Sequence, residues 1–140
     1  MNFFFNSSDS SEAINAKNKY INIYNQSEVE KADIIISIGG DGFLLKSLHD
    51  YHIYKKPFYG INYGSIGFLM NNESTQNLNE IISSSQKIEL KALRMNTKDI
   101  NGNTYESIAF NEVSIMRQTH QAAKISIEIN NVNRMKELIC

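Results

Sequence analysis

Apolar and polar positions along this 140-residue chain fall into two regimes. In the first, short apolar runs alternate with stretches of helical spacing. Phe3-Phe4-Phe5 reads as a short strand. Ser11 to Asn25 predicts a helix: Ala13, Ala16 and Tyr20 recur three or four apart, and Asp9, Ser10 and Ser11 are available as caps. Ile34-Ile35-Ile36-Ser37-Ile38 sets four β-branched residues in five positions between Asp33 and Gly39. Such a run suits a central strand covered on both faces, as in a parallel α/β sheet. Phe43 to Tyr51 predicts a second helix with Leu44, Leu45 and Leu48 as its apolar stripe. Pro57 to Asn62 follows as a strand, so strand, glycine loop, helix and strand make a βαβ unit. Ser74 to Ser83 predicts a third helix, capped by Ser74 and burying Leu78, Ile81 and Ile82.

After Ser83-Ser84-Ser85 the period becomes two. Ile88, Leu90 and Ala92 alternate with polar neighbours, Asn101-Gly102 is a strong hairpin signal, and Ser107 to Met116 reads as strand. Ile125, Ile127 and Ile129 alternate with Ser126 and Glu128. A turn is expected over Asn130 to Asn133 and a further strand from Met135 to Cys140. The predicted architecture is an α/β N-terminal domain over residues 1–86, with a Rossmann-like parallel sheet and Gly-rich loops. The first part of an antiparallel β-rich domain follows over 87–140. An antiparallel sheet ended at Cys140 lacks partners and leaves an edge open, so the expectation is an incomplete second domain.

Charge and composition narrow the function. Fourteen Lys and Arg face fifteen Asp and Glu, a net charge of -1. That balance argues against a surface built for nucleic acid. The lone Cys140 cannot form an internal disulfide. No apolar run approaches the roughly 18–20 residues that span a bilayer, and Met1 to Ser10 lacks a basic n-region. The reading is a cytoplasmic protein with no membrane partner. The eighteen Asn and twenty Ile suggest base bias in the genome, so isolated Asn residues say little. Clustered glycines stand out against that background.

Ile38-Gly39-Gly40-Asp41-Gly42-Phe43 is the most informative segment. Glycines permit close backbone approach, and the loop opens onto a helix N-terminus that favours phosphate. A carboxylate in such a cradle repels an anion unless it has chemical work. Asp41 suits two tasks: taking a proton from a hydroxyl nucleophile, or holding Mg²⁺ beside a phosphate. The structural alternative is a tight turn with Asp41 as helix cap. Neither the dinucleotide Gly-x-Gly-x-x-Gly pattern nor the ATPase P-loop is matched. A second cluster, Gly60-Ile61-Asn62-Tyr63-Gly64-Ser65-Ile66-Gly67-Phe68-Leu69, begins at the end of the next strand. Two adjacent strands ending in such loops would form one floor of a shared cleft. Phe110-Asn111-Glu112-Val113 then sets an amide and a carboxylate side by side in a predicted strand. One of the two should therefore face an interior or a cleft.

With these three motifs in order, the sequence resembles the NAD kinase family. The matching positions are the Gly-Gly-Asp-Gly loop at Gly39 to Gly42, the Gly-x-x-x-Gly-x-x-Gly-Phe-Leu segment at Gly60 to Leu69, and the pair Asn111-Glu112. The resemblance spans about residues 33–140. It implies phosphoryl transfer from ATP, or polyphosphate in some members, to the adenosine 2′-hydroxyl of NAD. Mg²⁺ or another divalent cation would accompany ATP. By position, Asp41 would be the general base, and Gly39 and Gly40 the phosphate loop. Asp41, Gly42, Lys46, Phe68, Asn111 and Glu112 would contact NAD. The resemblance further implies a homo-oligomer, dimer or tetramer, at full length.

Phe43 stands where the family usually has Thr. The family's later Asp-Gly pair and Thr-Ala-Tyr-type segment do not occur in these 140 residues. The expectation is a C-terminally truncated NAD kinase with little or no turnover by itself. The alternatives are an inactive remnant that binds only nucleotide or partner chains, and a lipid kinase sharing the Gly-Gly-Asp-Gly loop. Asn111-Glu112 and the lack of a membrane-facing apolar helix count against the last. His49, His52, His120 and Cys140 are too scattered to suggest a zinc site. Tyr51, Tyr54, Phe58 and Tyr59 read as core and pocket lining, because no basic stripe accompanies them.

Overall fold

The computed structural model describes residues 1–65 and 67–140; Ile66 of the second glycine-rich segment lies outside the described residues. Three strands, β1 (Phe3–Ser7), β2 (Ile34–Gly39) and β3 (Phe58–Asn62), form one parallel sheet in the order β1-β2-β3. Its register pairs Phe5 with Ile36 and Ile36 with Tyr59. Every residue of β2 is buried, as the isoleucine run requires.

Alternation along the strands divides the core. Phe3, Phe5, Ile34, Ile36 and Ile38 pack with Ala13, Ala16 and Tyr20 of α1 (Ser11–Tyr24). Ser10 caps that helix by accepting from the Ala13 amide at 3.2 Å. The intervening positions face α2 (Asp41–Tyr51). The Phe4 ring stands edge-on to Tyr51, and Asn6 Nδ2 donates to Ser47 Oγ at 2.8 Å. In α2 the buried positions are Leu44 and Ser47, while Leu45 and Leu48 are half-buried, so the stripe is narrower than predicted. A 3-10 turn, His52–Tyr54, follows it. The free edge of β1 is covered: Gln26 bonds both the amide and the carbonyl of Phe5, and the Ser27 amide donates to the Phe3 carbonyl. That cover blocks edge-to-edge pairing.

Several boundaries differ from the sequence reading. Helix α2 starts two residues early, at Asp41, because the Gly40 carbonyl already accepts from Phe43 and Leu44. The third helix, α3 (Leu78–Ser84), starts four residues late. Its cap is Asn77, which accepts from the Asn79 amide, and Ser74 instead closes a turn onto Gln76. Residues 74–77 carry no apolar side chain to bury, whereas Leu78 is buried and its amide donates to Tyr24 Oη at 2.9 Å.

Beyond α3 lie two antiparallel hairpins: β4 (Leu93–Lys98) with β5 (Thr104–Ala109), and β6 (Lys124–Ile129) with β7 (Val132–Ile139). Ile88 to Ala92 form no strand, since pairing starts only at Leu93 opposite Ala109. The same limit ends β5 at Ala109, so the predicted strand from Ser107 to Met116 stops short of Asn111-Glu112. Asn130 and Asn131, at φ of 53° and 62°, make a two-residue turn of the type that suits hairpins. Strand β7 therefore begins at Val132, three residues before the predicted Met135.

The β4–β5 turn is organised by Asp99. Its carboxylate accepts from the amides of Asn101 and Asn103 and from Asn103 Nδ2 and Tyr105 Oη. The side-chain bond from Asn103, then the two amides, hold the Asp99 carboxyl below its ordinary range. A carboxyl lowered on folding stabilises the fold above its unfolded value, and that contribution is lost as pH falls through the lowered folded value. The Asn101 and Asn103 amide resonances should therefore titrate with a midpoint below that of a free Asp side chain. A midpoint at or above it would contradict the turn.

Candidate functional site

Gly39 ends β2 and Asn62 ends β3, and the two residues are register partners. Both glycine-rich segments thus leave the sheet side by side at the carboxyl ends of parallel strands, where α/β folds hold ligands. Three contacts join them. The Tyr63 amide donates to the Gly39 carbonyl at 2.7 Å. A Cβ on Gly64 would lie 2.8 Å from Gly40 Cα, so the two backbones touch in a way only glycine allows. The Asp41 carboxylate crosses to the second segment, accepting from the amides of Phe68 at 2.8 Å and Leu69 at 3.1 Å. The expected common floor is therefore present, with Asp41 at the junction.

Asp41 is the first residue of α2 and is half-buried, and Gly42 beside it is exposed. The Phe43 and Leu44 amides are engaged by Gly40, so among the described residues the amides of Asp41 and Gly42 are the open donors at the helix start. A carboxylate offers about four lone-pair sites. Two amides occupy two of them, leaving acceptor capacity for a hydroxyl.

Three of the other predicted residues, Lys46, Asn111 and Glu112, stand apart from this junction. Lys46 bonds Asp50 one turn along α2. That hydrogen bond, then the Asp50 charge, raises its pKa. Its side chain lines a groove of about 290 Å³ with Asn6, Ser7 and Asp9, past the end of β1. The Phe68 side chain is 93 % exposed although its amide is anchored. Asn111 and Glu112 are both exposed beyond β5, so neither is turned inward as the predicted strand required. Among the described residues they share no hydrogen bond or ion pair with the glycine segments. The preceding Phe110 ring stands edge-on to His52, with centroids 6.2 Å apart.

Sequence reasoning missed Glu73. Lys19 of α1 approaches its carboxylate at 3.6 Å. Burial, and then a hydrogen bond to Glu73, raise the pKa of Tyr63, the first residue after β3. This tie between the second glycine segment and α1 has no local signal, because its members are far apart in the chain. The Asp41 bridge was missed as well, although Gly67 hinted at it: a Cβ there would lie 2.5 Å from Asp41 Oδ1.

Comparison with known proteins converges on the same region. The sequence profile of the ATP-NAD kinase N-terminal domain matches residues 2–90. Curated relatives include the NAD kinase of Rickettsia canadensis (strain McKiel), 50% identical over 117 residues, which is 84% of this chain and 46% of that relative. The NAD kinases of Rickettsia akari (strain Hartford) and Rickettsia felis (strain ATCC VR-1525 / URRWXCal2) are 48% and 49% identical over the same length, with the same coverage. The chain spans about half the length of these relatives. A profile matched over most of the chain, covering the parallel sheet and both glycine segments, establishes kinship: the chain belongs to the ATP-NAD kinase N-terminal domain family.

Proposed function

We propose that this chain supplies the N-terminal part of an NAD kinase active site. The reaction moves the terminal phosphoryl group of ATP, or of polyphosphate, to the 2′-hydroxyl of the adenosine ribose of NAD. The observation that carries this reading is the junction of the two glycine segments at Asp41. Asp41 accepts the hydroxyl proton as the ribose oxygen bonds to phosphorus. The bond from that phosphorus to the bridging oxygen breaks, and ADP leaves. Gly39 and Gly40 admit the phosphates to the backbone, and the open amides at the start of α2 favour their charge. Mg²⁺ or a similar divalent cation enters with ATP as part of that substrate.

Gly42 and Phe68 border the junction and contact NAD in this reading. Lys46, Asn111 and Glu112 contribute from outside it; in this reading the chain divides into an α/β unit over 1–86 and a β-rich unit over 87–140, with the cleft between them. We further propose a cytoplasmic homo-oligomer. No helix among the described residues is long and apolar enough to cross a membrane.

The test is NADP formation from NAD and ATP by the polypeptide purified from its source organism, with diacylglycerol as a competing acceptor. NADP as the phosphorylated product supports the reading; phosphorylated lipid, or ATP-independent NAD binding alone, overturns it. A second expectation concerns Asn111. Losing one hydrogen bond to NAD costs about 0.5–1.5 kcal/mol, roughly two- to tenfold in affinity. Asn111→Ala should therefore raise the KM for NAD by that factor and leave the KM for ATP nearly constant. An unchanged KM for NAD removes Asn111 from the site.

A further inference from the structure

We infer that Asp41 is also the positioning residue of the second glycine segment, and that Gly67 is its counterpart. This role goes beyond the proposed reaction and holds whether or not the chain turns over nucleotide. The first observation is the pair of bonds from the Phe68 and Leu69 amides to the two carboxylate oxygens, at 2.8 Å and 3.1 Å. They join residues 27 and 28 positions apart in sequence. Bonds to an ionised acceptor are about twice as strong as neutral ones. The second observation is steric. A Cβ at Gly67 would meet Asp41 Oδ1 at 2.5 Å and Cγ at 2.9 Å, so any side chain there pushes the carboxylate off the two amides.

The third observation is where the bridge lies. The segment departs from β3 at Asn62 and returns beside it at Asn71, where the Asn62 amide donates to the Asn71 carbonyl and the Asn71 amide to the Gly60 carbonyl. Both ends are pinned to the sheet. Asp41 pins the stretch just before the return and fixes the backbone that presents the exposed Phe68 ring. One carboxylate thus ties the far part of the second segment to the start of α2, beyond the two contacts that join the segments nearer β3.

The role is tested without substrate, by hydrogen exchange at single-amide resolution on the 140-residue chain. Asp41→Asn keeps one acceptor oxygen and turns an NH₂ group toward the other amide. Exchange at Phe68 or Leu69 should quicken roughly tenfold or more, while Ile35 and Ile36 in β2 keep their protection and report an intact fold. Gly67→Ala, which leaves the carboxylate chemistry untouched, should speed exchange at both amides. Unchanged protection of both amides in either variant overturns the role. If Asp41→Asn loses the β2 protection, Gly67→Ala decides alone. Loss of NADP formation without altered exchange would uphold the reaction assignment and reject this one; altered exchange in a chain that never makes NADP would do the reverse.

Discussion

On the proposed reaction, Asp41→Asn should lower the kcat for NADP formation by the full-length protein by roughly 10²–10⁴-fold, the usual contribution of a positioned base. A ribose hydroxyl is a weak nucleophile at neutral pH, and the carboxamide cannot take its proton. Because Asp41 also bonds the Phe68 and Leu69 amides, the substitution disturbs the second segment as well, and NAD affinity falls with turnover. Gly67→Ala separates the two effects. It displaces the carboxylate from the amides without removing the base, so it should weaken NAD binding and lower kcat less than Asp41→Asn does. Equal losses of kcat in the two variants would reduce Asp41 to a positioning role. Unchanged turnover in Asp41→Asn would remove it from the chemistry altogether.

Gly64→Val and Gly42→Val should fail in opposite ways. At Gly64 a Cβ would press on Gly40 Cα at 2.8 Å, and a backbone atom held between a strand and a helix cannot step aside. Overpacking of this kind costs about 1–3 kcal/mol, and the strain falls on the contact that joins the two segments. Gly64→Val should therefore lower the midpoint of denaturant unfolding and abolish nucleotide binding together. At Gly42 a Cβ meets nothing within 4 Å. Gly42→Val should unfold at the same denaturant concentration as the parent chain and still lose NAD affinity, because the valine stands over the open amides of α2. Normal NAD binding by Gly42→Val would mean that ligand does not approach that helix start. Normal stability of Gly64→Val would mean that the two segments are not in contact.

The parallel sheet was legible because its signals are local and redundant. Four isoleucines in Ile34 to Ile38 admit one reading, a strand buried on both faces, and Ala13, Ala16 and Tyr20 announce the helix that covers one of them. The glycine segments were legible for the same reason: six of the seven glycines lie between Gly39 and Gly67. What the sequence hid was pairing. Ile88, Leu90 and Ala92 alternate as a strand should, yet pair with no strand among the described residues, and Asn111 lies beyond Ala109, the last residue of β5 that β4 pairs. Alternation states which face a residue would take and cannot state whether a neighbouring strand reaches it. The cap of α3 was misplaced because Ser74 and Asn77 are equally good caps in isolation; burial of Leu78 chose between them. The Asp41 bridge escaped because its partners are backbone amides, which every residue has.

The most direct measurement is the change in amide exchange across the 140-residue chain when NAD is added. With NAD bound at the Asp41 junction, new protection should concentrate at Gly40 to Gly42 and at Gly64 to Leu69, with little change in β6 and β7. Protection confined to the groove lined by Ser7, Asp9 and Lys46, or none at saturating NAD, would contradict that site.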